Sequence, residues 1–165
     1  MDKFQQSQNN KLLKSTAHDP YRTERIAGSA VCPQCDAVYH AGNWTWNRPE
    51  NTVIHDAQKE TCPACRRIHD HMPAGTLTLS GNFVLEHREE IIHLIDNTEK
   101  KEKAEHALER IMQIRDSEGD LMVTTTGIHL ANRLGHALEA AYKGHAEYQY
   151  DDNQYGINVS WERHE

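Results

Sequence analysis

No stretch of this 165-residue chain approaches the roughly 18 consecutive apolar residues of a membrane span. The amide-rich segment Met1 to Lys14 lacks the apolar core of a secretion leader. Large apolar side chains are scarce: Leu, Ile, Val and Phe number 11, 10, 6 and 2, about 18% against the ~20% below which disorder becomes an issue. The formal charge of −7 is too mild to enforce disorder over this length. The expectation is a folded chain with a thin core that needs help from a metal or a partner. Membrane, secreted and collagen-like classes are excluded, and the expected compartment is the cytoplasm.

Positive charge is thin where bulk nucleic-acid binding would need it. Residues 76–165 carry 9 basic and 17 acidic side chains, residues 31–75 carry 4 and 5, and residues 1–30 carry 5 and 3. Phosphate contacts require Lys and Arg, so any RNA contact must be local. Familiar catalytic signatures are missing as well: no Gly-rich phosphate loop with Lys, no Gly-x-Ser-x-Gly elbow and no His-Glu-x-x-His. A non-enzymatic protein without a small-molecule substrate is expected.

What is present is a cysteine pattern. The four cysteines form two pairs, Cys32-Pro33-Gln34-Cys35 and Cys62-Pro63-Ala64-Cys65. Two residues between thiolates let both sulfurs of a knuckle face one point, and a second knuckle completes a tetrahedron around one Zn²⁺. The gap leaves room for a hairpin, with strand-like character at Val38-Tyr39, Trp44 to Trp46 and Thr52 to Ile54. The alternatives are redox motifs or disulfides; a reducing cytosol and the lack of a surrounding βαβ unit weigh against them. Four thiolates leave no open position for water, so the zinc is expected to be structural. Arg66 and Arg67 follow the last ligand, where they either only offset its excess negative charge or, in the sharper reading, also bring one of the two to a phosphate.

Twelve histidines add little to this. His69, His71, His40 and His55 lie near the knuckles, but the cysteines already close a site. His129 and His136 are two turns apart on a helix, about 10.5 Å along its axis, too far to share an ion.

Residues 1–30 read as a flexible polar tail, 31–72 as the zinc ribbon and 73–165 as an α+β unit. In the last, Thr76 to Leu79 alternates as a strand, and Phe83, Val84, Ile91, Ile92 and Ile95 recur at helical spacing over 83–96. The polar run Asp96 to Glu105 reads as an exposed helical extension or a break. A hairpin joins Ile111–Ile114 to Leu121–Thr124 across Gly119. Thr126 is the expected N-cap of a helix over 127–143, whose apolar stripe is Leu130, Leu134, Ala137, Leu138 and Ala141. Strands over 146–150 and 156–161 follow. The fold class is therefore α+β, a four-cysteine zinc ribbon followed by a ferredoxin-like (split βαβ) domain with one extra strand.

Such sheets often bind RNA by stacking bases on aromatic residues of the central strands. The candidate central strands here contain no Phe, Tyr or Trp, which removes the simplest RNA-recognition reading. Other surfaces are candidates. Trp44 and Trp46 share a face of the ribbon hairpin, where they either cover the metal core or offer a stacking platform. His129 and Arg133 lie opposite the leucine stripe, either as an ordinary polar helix face or as an RNA or protein contact.

The segments Cys32-Pro-Gln-Cys35, Tyr39-His40, Trp44-Thr-Trp46 and Cys62-Pro-Ala-Cys65-Arg66-Arg67-Ile68, followed by Pro73-Ala-Gly75 and Leu77-x-Leu79-x-Gly81, resemble a family of small bacterial zinc-ribbon proteins. So does Val123-Thr-Thr-Thr126 with His129-Leu-Ala131-x-Arg133-Leu-Gly135-x-Ala137-Leu138. That family is remotely similar to the N-terminal part of the archaeal and eukaryotic large-subunit ribosome export adaptor named for nonsense-mediated decay. Eukaryotic adaptors carry more knuckle cysteines than the four here. The resemblance implies a ribosome- or rRNA-associated factor of stress or subunit maturation. In this reading Trp44, Trp46, Arg66, Arg67, His129 and Arg133 are the candidate contacts. A protein-interaction or transcription-associated adaptor is the alternative, and a zinc-thiolate redox switch a further one.

Overall fold

A computed structural model describes residues 19–23, 26, 28–46, 57–152 and 155–165. Residues 1–18 of the expected tail and the Thr52–Ile54 segment lie outside the described residues. The fold is mixed α+β, with two sheets and four helices among the described residues.

The first sheet is small. Its strands are β1 (Ala30–Val31), β2 (Val38–His40), β3 (Asn43–Thr45) and β4 (Gln58–Lys59), in the order β3-β2-β1-β4. β1 pairs antiparallel with β2 and parallel with β4. Helix α1 (Pro63–Asp70) follows, with proline at its start, where a missing N–H costs nothing. Cys62 caps it, its sulfur accepting from the Cys65 amide, and His71 ends it at φ 57° in the left-handed region.

The second sheet is larger. β5 (Gly75–Ser80) leads into α2 (Asn82–Glu86) and α3 (Arg88–Glu105), then β6 (Ile111–Ser117), β7 (Asp120–Thr125), α4 (Ile128–Tyr142), β8 (His145–Tyr150) and β9 (Ile157–Glu162). The strand order is β6-β7-β5-β9-β8. β7 lies antiparallel between β5 and β6, and β9 stands beside β5, parallel to it, with β8 at the edge. The β6–β7 turn is the two-residue Glu118-Gly119, both with positive φ, as a type I′ hairpin turn demands.

Strict alternation sends one face of this sheet inward. Leu77 and Leu79 of β5, Leu121 and Val123 of β7, and Ile157, Val159 and Trp161 of β9 are all buried. They meet Ile91 and Ile95 of α3 and the stripe Leu130, Leu134 and Leu138 of α4. Thr76, Thr78, Asn158 and Ser160 occupy the intervening positions, more open to solvent.

The polar run 96–105 continues α3 to Glu105 rather than breaking it. It contains no Gly or Pro, and its Lys, Glu and Ala are good helix formers. Nor is it only a solvated face. Glu99 accepts the Ile111 amide at 2.6 Å, and the Lys103 carbonyl accepts the Trp46 indole N–H at 2.7 Å. Glu102 lies 3.5 Å from Arg133. The end of α3 thereby meets the segment after β3 through Trp46.

Candidate metal centre

The cysteine knuckles are tight turns. In the first, the Cys32 amide donates to Ala37 O and the Asp36 amide to Cys32 O, with Asp36 at φ 66°. In the second, the Cys62 carbonyl accepts from Arg66 as α1 begins. The turns bring the four Sγ atoms of Cys32, Cys35, Cys62 and Cys65 within 4.8 Å of one another. Four thiolates on a tetrahedral ion with bonds near 2.3 Å would sit about 3.8 Å apart. The Cys35–Cys62 sulfur separation is 3.8 Å. Size and donor chemistry both fit a single structural metal ion, and no disulfide joins the four thiols.

The surroundings pull the sulfurs in opposite directions. Backbone amides of Cys62 and Cys65 donate to Cys32 Sγ at 3.3 Å and Cys62 Sγ at 3.4 Å. Burial pushes the Cys32 thiol up, but the amides of Cys62, Gln34 and Cys35 outweigh it and bring the pKa down to about 7. Burial wins at Cys62 and Cys65, whose thiols are raised despite the opposing pull of Arg110. Metal entry must therefore displace protons from these two sulfurs.

Arg110 is the counter-charge. Its guanidinium donates to Cys65 Sγ at 3.2 Å, Cys35 Sγ at 3.1 Å and Cys62 Sγ at 3.6 Å. Its Nε donates to Ala107 O at 2.8 Å, and the Trp46 ring lies 5.1 Å from its Cζ. Burial works against its charge, yet the sulfur contacts dominate and raise its pKa. Three thiol sulfurs thus lean on a residue of the α3–β6 connection, 45 or more positions away in sequence.

Arg110 is fixed by its neighbours. Thr126 Oγ1 accepts from the Arg110 amide at 2.9 Å and donates to Leu108 O at 2.6 Å, while the Thr126 amide donates to Arg110 O at 2.8 Å. This corrects the expected N-cap, because Thr126 is engaged with 108–110 and Gly127 starts α4. The capping oxygen comes from Glu109, which accepts the Leu130 amide at 2.8 Å. Gly127 leaves the space for it: a Cβ there would lie 2.1 Å from both Glu109 carboxylate oxygens. Adjacent residues thus serve two different regions, Glu109 a helix start and Arg110 the sulfur cluster.

The expected charge partners behave differently. Arg67 is buried and donates to both carboxylate oxygens of Asp19, at 3.0 and 3.2 Å, and to Met72 O at 2.9 Å. Neither Arg67 nor Arg66 is among the hydrogen-bond donors to the sulfurs, and Arg66 is exposed. Residues 19–23, assigned from sequence to the free tail, lie on the ribbon through this pair and through the Trp44 indole, which donates to Thr23 Oγ1 at 3.0 Å.

Nor do the six candidate contact residues share one surface. Trp44 is buried edge-on against Tyr39, ring centroids 5.3 Å apart. Trp46 covers Arg110. Trp44, His129 and Arg133 line an open cleft of about 900 Å³ whose rim carries Glu102, Glu105 and Glu109, whereas Arg66 lines a separate depression with Lys59 and His69. Arg133 is largely exposed and faces Glu102.

Sequence reasoning missed the roles of Arg110, Glu109 and Asp19 and the long-range bonds of Thr126. None has a local signal: each acts across the fold. Among the described residues no helix is long and apolar enough to cross a membrane, and no second cluster of metal-ligating side chains accompanies the cysteines. Searches against protein families, curated proteins and solved structures found no match for this chain.

Proposed function

We propose that this chain is a non-enzymatic, zinc-stabilised binding factor whose partner is the ribosome or a structured RNA. The observation that carries the zinc reading is the closed set of four sulfurs with Arg110 laid over three of them. Four thiolates suit Zn²⁺ in a structural role, and a cation held against them shields the net negative charge of the complex. The small sheet and its knuckles are then a zinc ribbon. The neighbouring order β6-β7-β5 supports a ferredoxin-like reading of the larger sheet, in which β9 is inserted between β5 and β8.

The RNA reading draws on the resemblance noted above and on the exposed basic groups of the ribbon. Lys59, Arg66 and His69 border one depression on its surface. A local contact of this kind is compatible with an acidic chain, because phosphate recognition depends on nearby cations rather than net charge. Ribosomal subunits should carry the protein through a sucrose gradient at low salt and release it as salt rises. Arg66→Glu should reduce co-sedimentation several-fold while one equivalent of zinc is retained. Sedimentation unchanged by salt and by Arg66→Glu would sink the ribosome assignment.

A second reading, a protein-interaction adaptor, is favoured by the exposed Ile68 and Met72 at the end of α1. It would show as one protein retained after nuclease treatment.

A further inference from the structure

Arg67 is an arginine built to hold an anion. Its guanidinium is aligned from one side by Met72 O at 2.9 Å and is 7% exposed. Its free edge meets the Asp19 carboxylate with two hydrogen bonds. Its flat face lies 4.4 Å from the centre of the Tyr21 ring, and Arg66 lies 5.4 Å from the same ring. Tyr21 is turned onto the arginines by its amide, which donates to Asp19 Oδ1 at 2.9 Å, and by its hydroxyl, which donates to Asp70 at 2.9 Å. An oxyanion on the guanidinium edge beside an aromatic ring on its face is also what a nucleotide presents.

We infer that residues 19–23 are a strap occupying, from within the chain, a single-stranded RNA site on Arg66 and Arg67, with Asp19 in the place of a phosphate and Tyr21 in the place of a base. The inference deepens the RNA reading above and rests on it.

The strap is suited to leave. Asp19, Tyr21 and Thr23 are only half-buried, Pro20 and Arg22 are exposed, and the hydrogen bonds of Asp19, Tyr21 and Thr23 to the ribbon join polar groups that water can replace. The sulfur cluster beneath makes no use of it, since the sulfurs are held by Arg110 and the backbone. With Asp19 and Tyr21 displaced, Arg67 and Arg66, which flank the Tyr21 ring, face the ligand beside Asp70. A strap that closes the site most of the time lowers apparent affinity in proportion to the open fraction.

The test compares the full chain with an Asp19→Ala/Tyr21→Ala variant, both zinc-loaded, binding a labelled oligouridylate at low salt. The variant should bind about tenfold tighter, with a steeper loss of affinity as salt rises. Arg66→Gln in the opened variant should cancel the gain. Bound zinc and circular dichroism matching the parent show that the variant is folded. A second measurement needs no mutation. Titrating the oligonucleotide into the parent should move the Asp19 carboxyl and Tyr21 ring resonances toward free-peptide values.

RNA bound equally by both proteins, with those resonances unmoved, overturns the strap while leaving the RNA reading intact. RNA bound by neither overturns both. An opened site that takes up a synthetic peptide of residues 17–23 but no RNA overturns the ligand assignment and leaves the strap itself as what the site binds.

Discussion

Among the described residues, Ala30, Ala37, Ala64, Ala107, Tyr39 and Trp44 form the buried apolar cluster with the cysteines, and Val38 is buried in the same small sheet. The five-stranded sheet instead buries Leu77, Leu79, Leu121, Val123, Ile157, Val159 and Trp161 under α2, α3 and α4. Alanine removes little surface from water, and at about 25 cal/mol per Å² of apolar area the small sheet gains far less than the large one. Its strands are two or three residues long, against six or seven in the larger sheet. The ribbon must be closed by sulfur and metal, the sheet by packing. Glu109 and Arg110 lie where the two regimes meet.

Removing a ligand should separate the regimes most sharply. In zinc-finger peptides metal binding supplies about 10–16 kcal/mol that becomes folding free energy. Cys62→Ser, or a strong chelator, should therefore abolish stoichiometric metal and remove amide protection over 30–70. Protection over 75–162 should persist, as hydrogen exchange would report. Simultaneous loss of both would show that the sheet depends on the metal too.

The reciprocal change lies in the sheet. Leu77 is fully buried in β5, and Leu77→Ala should cost about 2–5 kcal/mol through lost transfer energy and the cavity left behind. Thermal unfolding should report a lower midpoint of the sheet while the metal content stays at one equivalent.

Arg110→Ala should weaken both sides of the junction. It removes charge-assisted contacts to three sulfurs, each of a kind worth about 1.5–3 kcal/mol. Transfer of metal to a competing chelator should accelerate at least about tenfold, the equivalent of ~1.4 kcal/mol. An unchanged transfer rate would remove Arg110 from the metal centre.

Glu109 offers a smaller and pH-dependent effect. Glu109→Ala leaves the α4 start without its carboxylate cap and should cost about 0.5–2 kcal/mol. Burial raises the Glu109 pKa, with the Leu130 amide pulling the other way, so the folded chain holds this proton more tightly than the unfolded one. Stability from this group falls as pH climbs from the unfolded value, about 4.3, through the raised folded value, and the cost is complete above it. Glu109→Gln keeps an oxygen for Leu130 and removes that dependence. Its melting temperature should gain on the parent as pH rises, and a constant difference would refute this account.

The smallest change is expected at the surface. Arg88 and Asp116 form a two-hydrogen-bond ion pair in water. Exposed pairs of this kind are screened and cost side-chain entropy, so Arg88→Ala should leave both the melting temperature and the metal content as they are.

Local signals made much of this legible in advance. The two Cys-Pro-x-Cys knuckles announced a metal cluster because ligand spacing is a local property. The stripe Leu130, Leu134 and Leu138 and the alternation Ile157, Val159 and Trp161 announced their faces because each repeats with the period of its element. The run 96–105 could not be read beyond its polarity: nothing in Glu99 or Glu102 reveals that a carboxylate will turn to Ile111 or Arg133. Thr126 had the chemistry of a cap, yet the long-range bonds to Leu108 and Arg110 claimed it.

The sequence by itself determined the knuckles, the strand and helix periods and the thinness of the ribbon core, because these follow from neighbours along the chain. Tertiary structure alone decided that Arg110 rather than Arg66 or Arg67 serves the sulfurs, that Glu109 caps α4 across the gap left by Gly127, and that Asp19 holds Arg67. Each of those is a match of charge and shape between segments far apart in sequence, fixed only when two sheets and their helices set the distances.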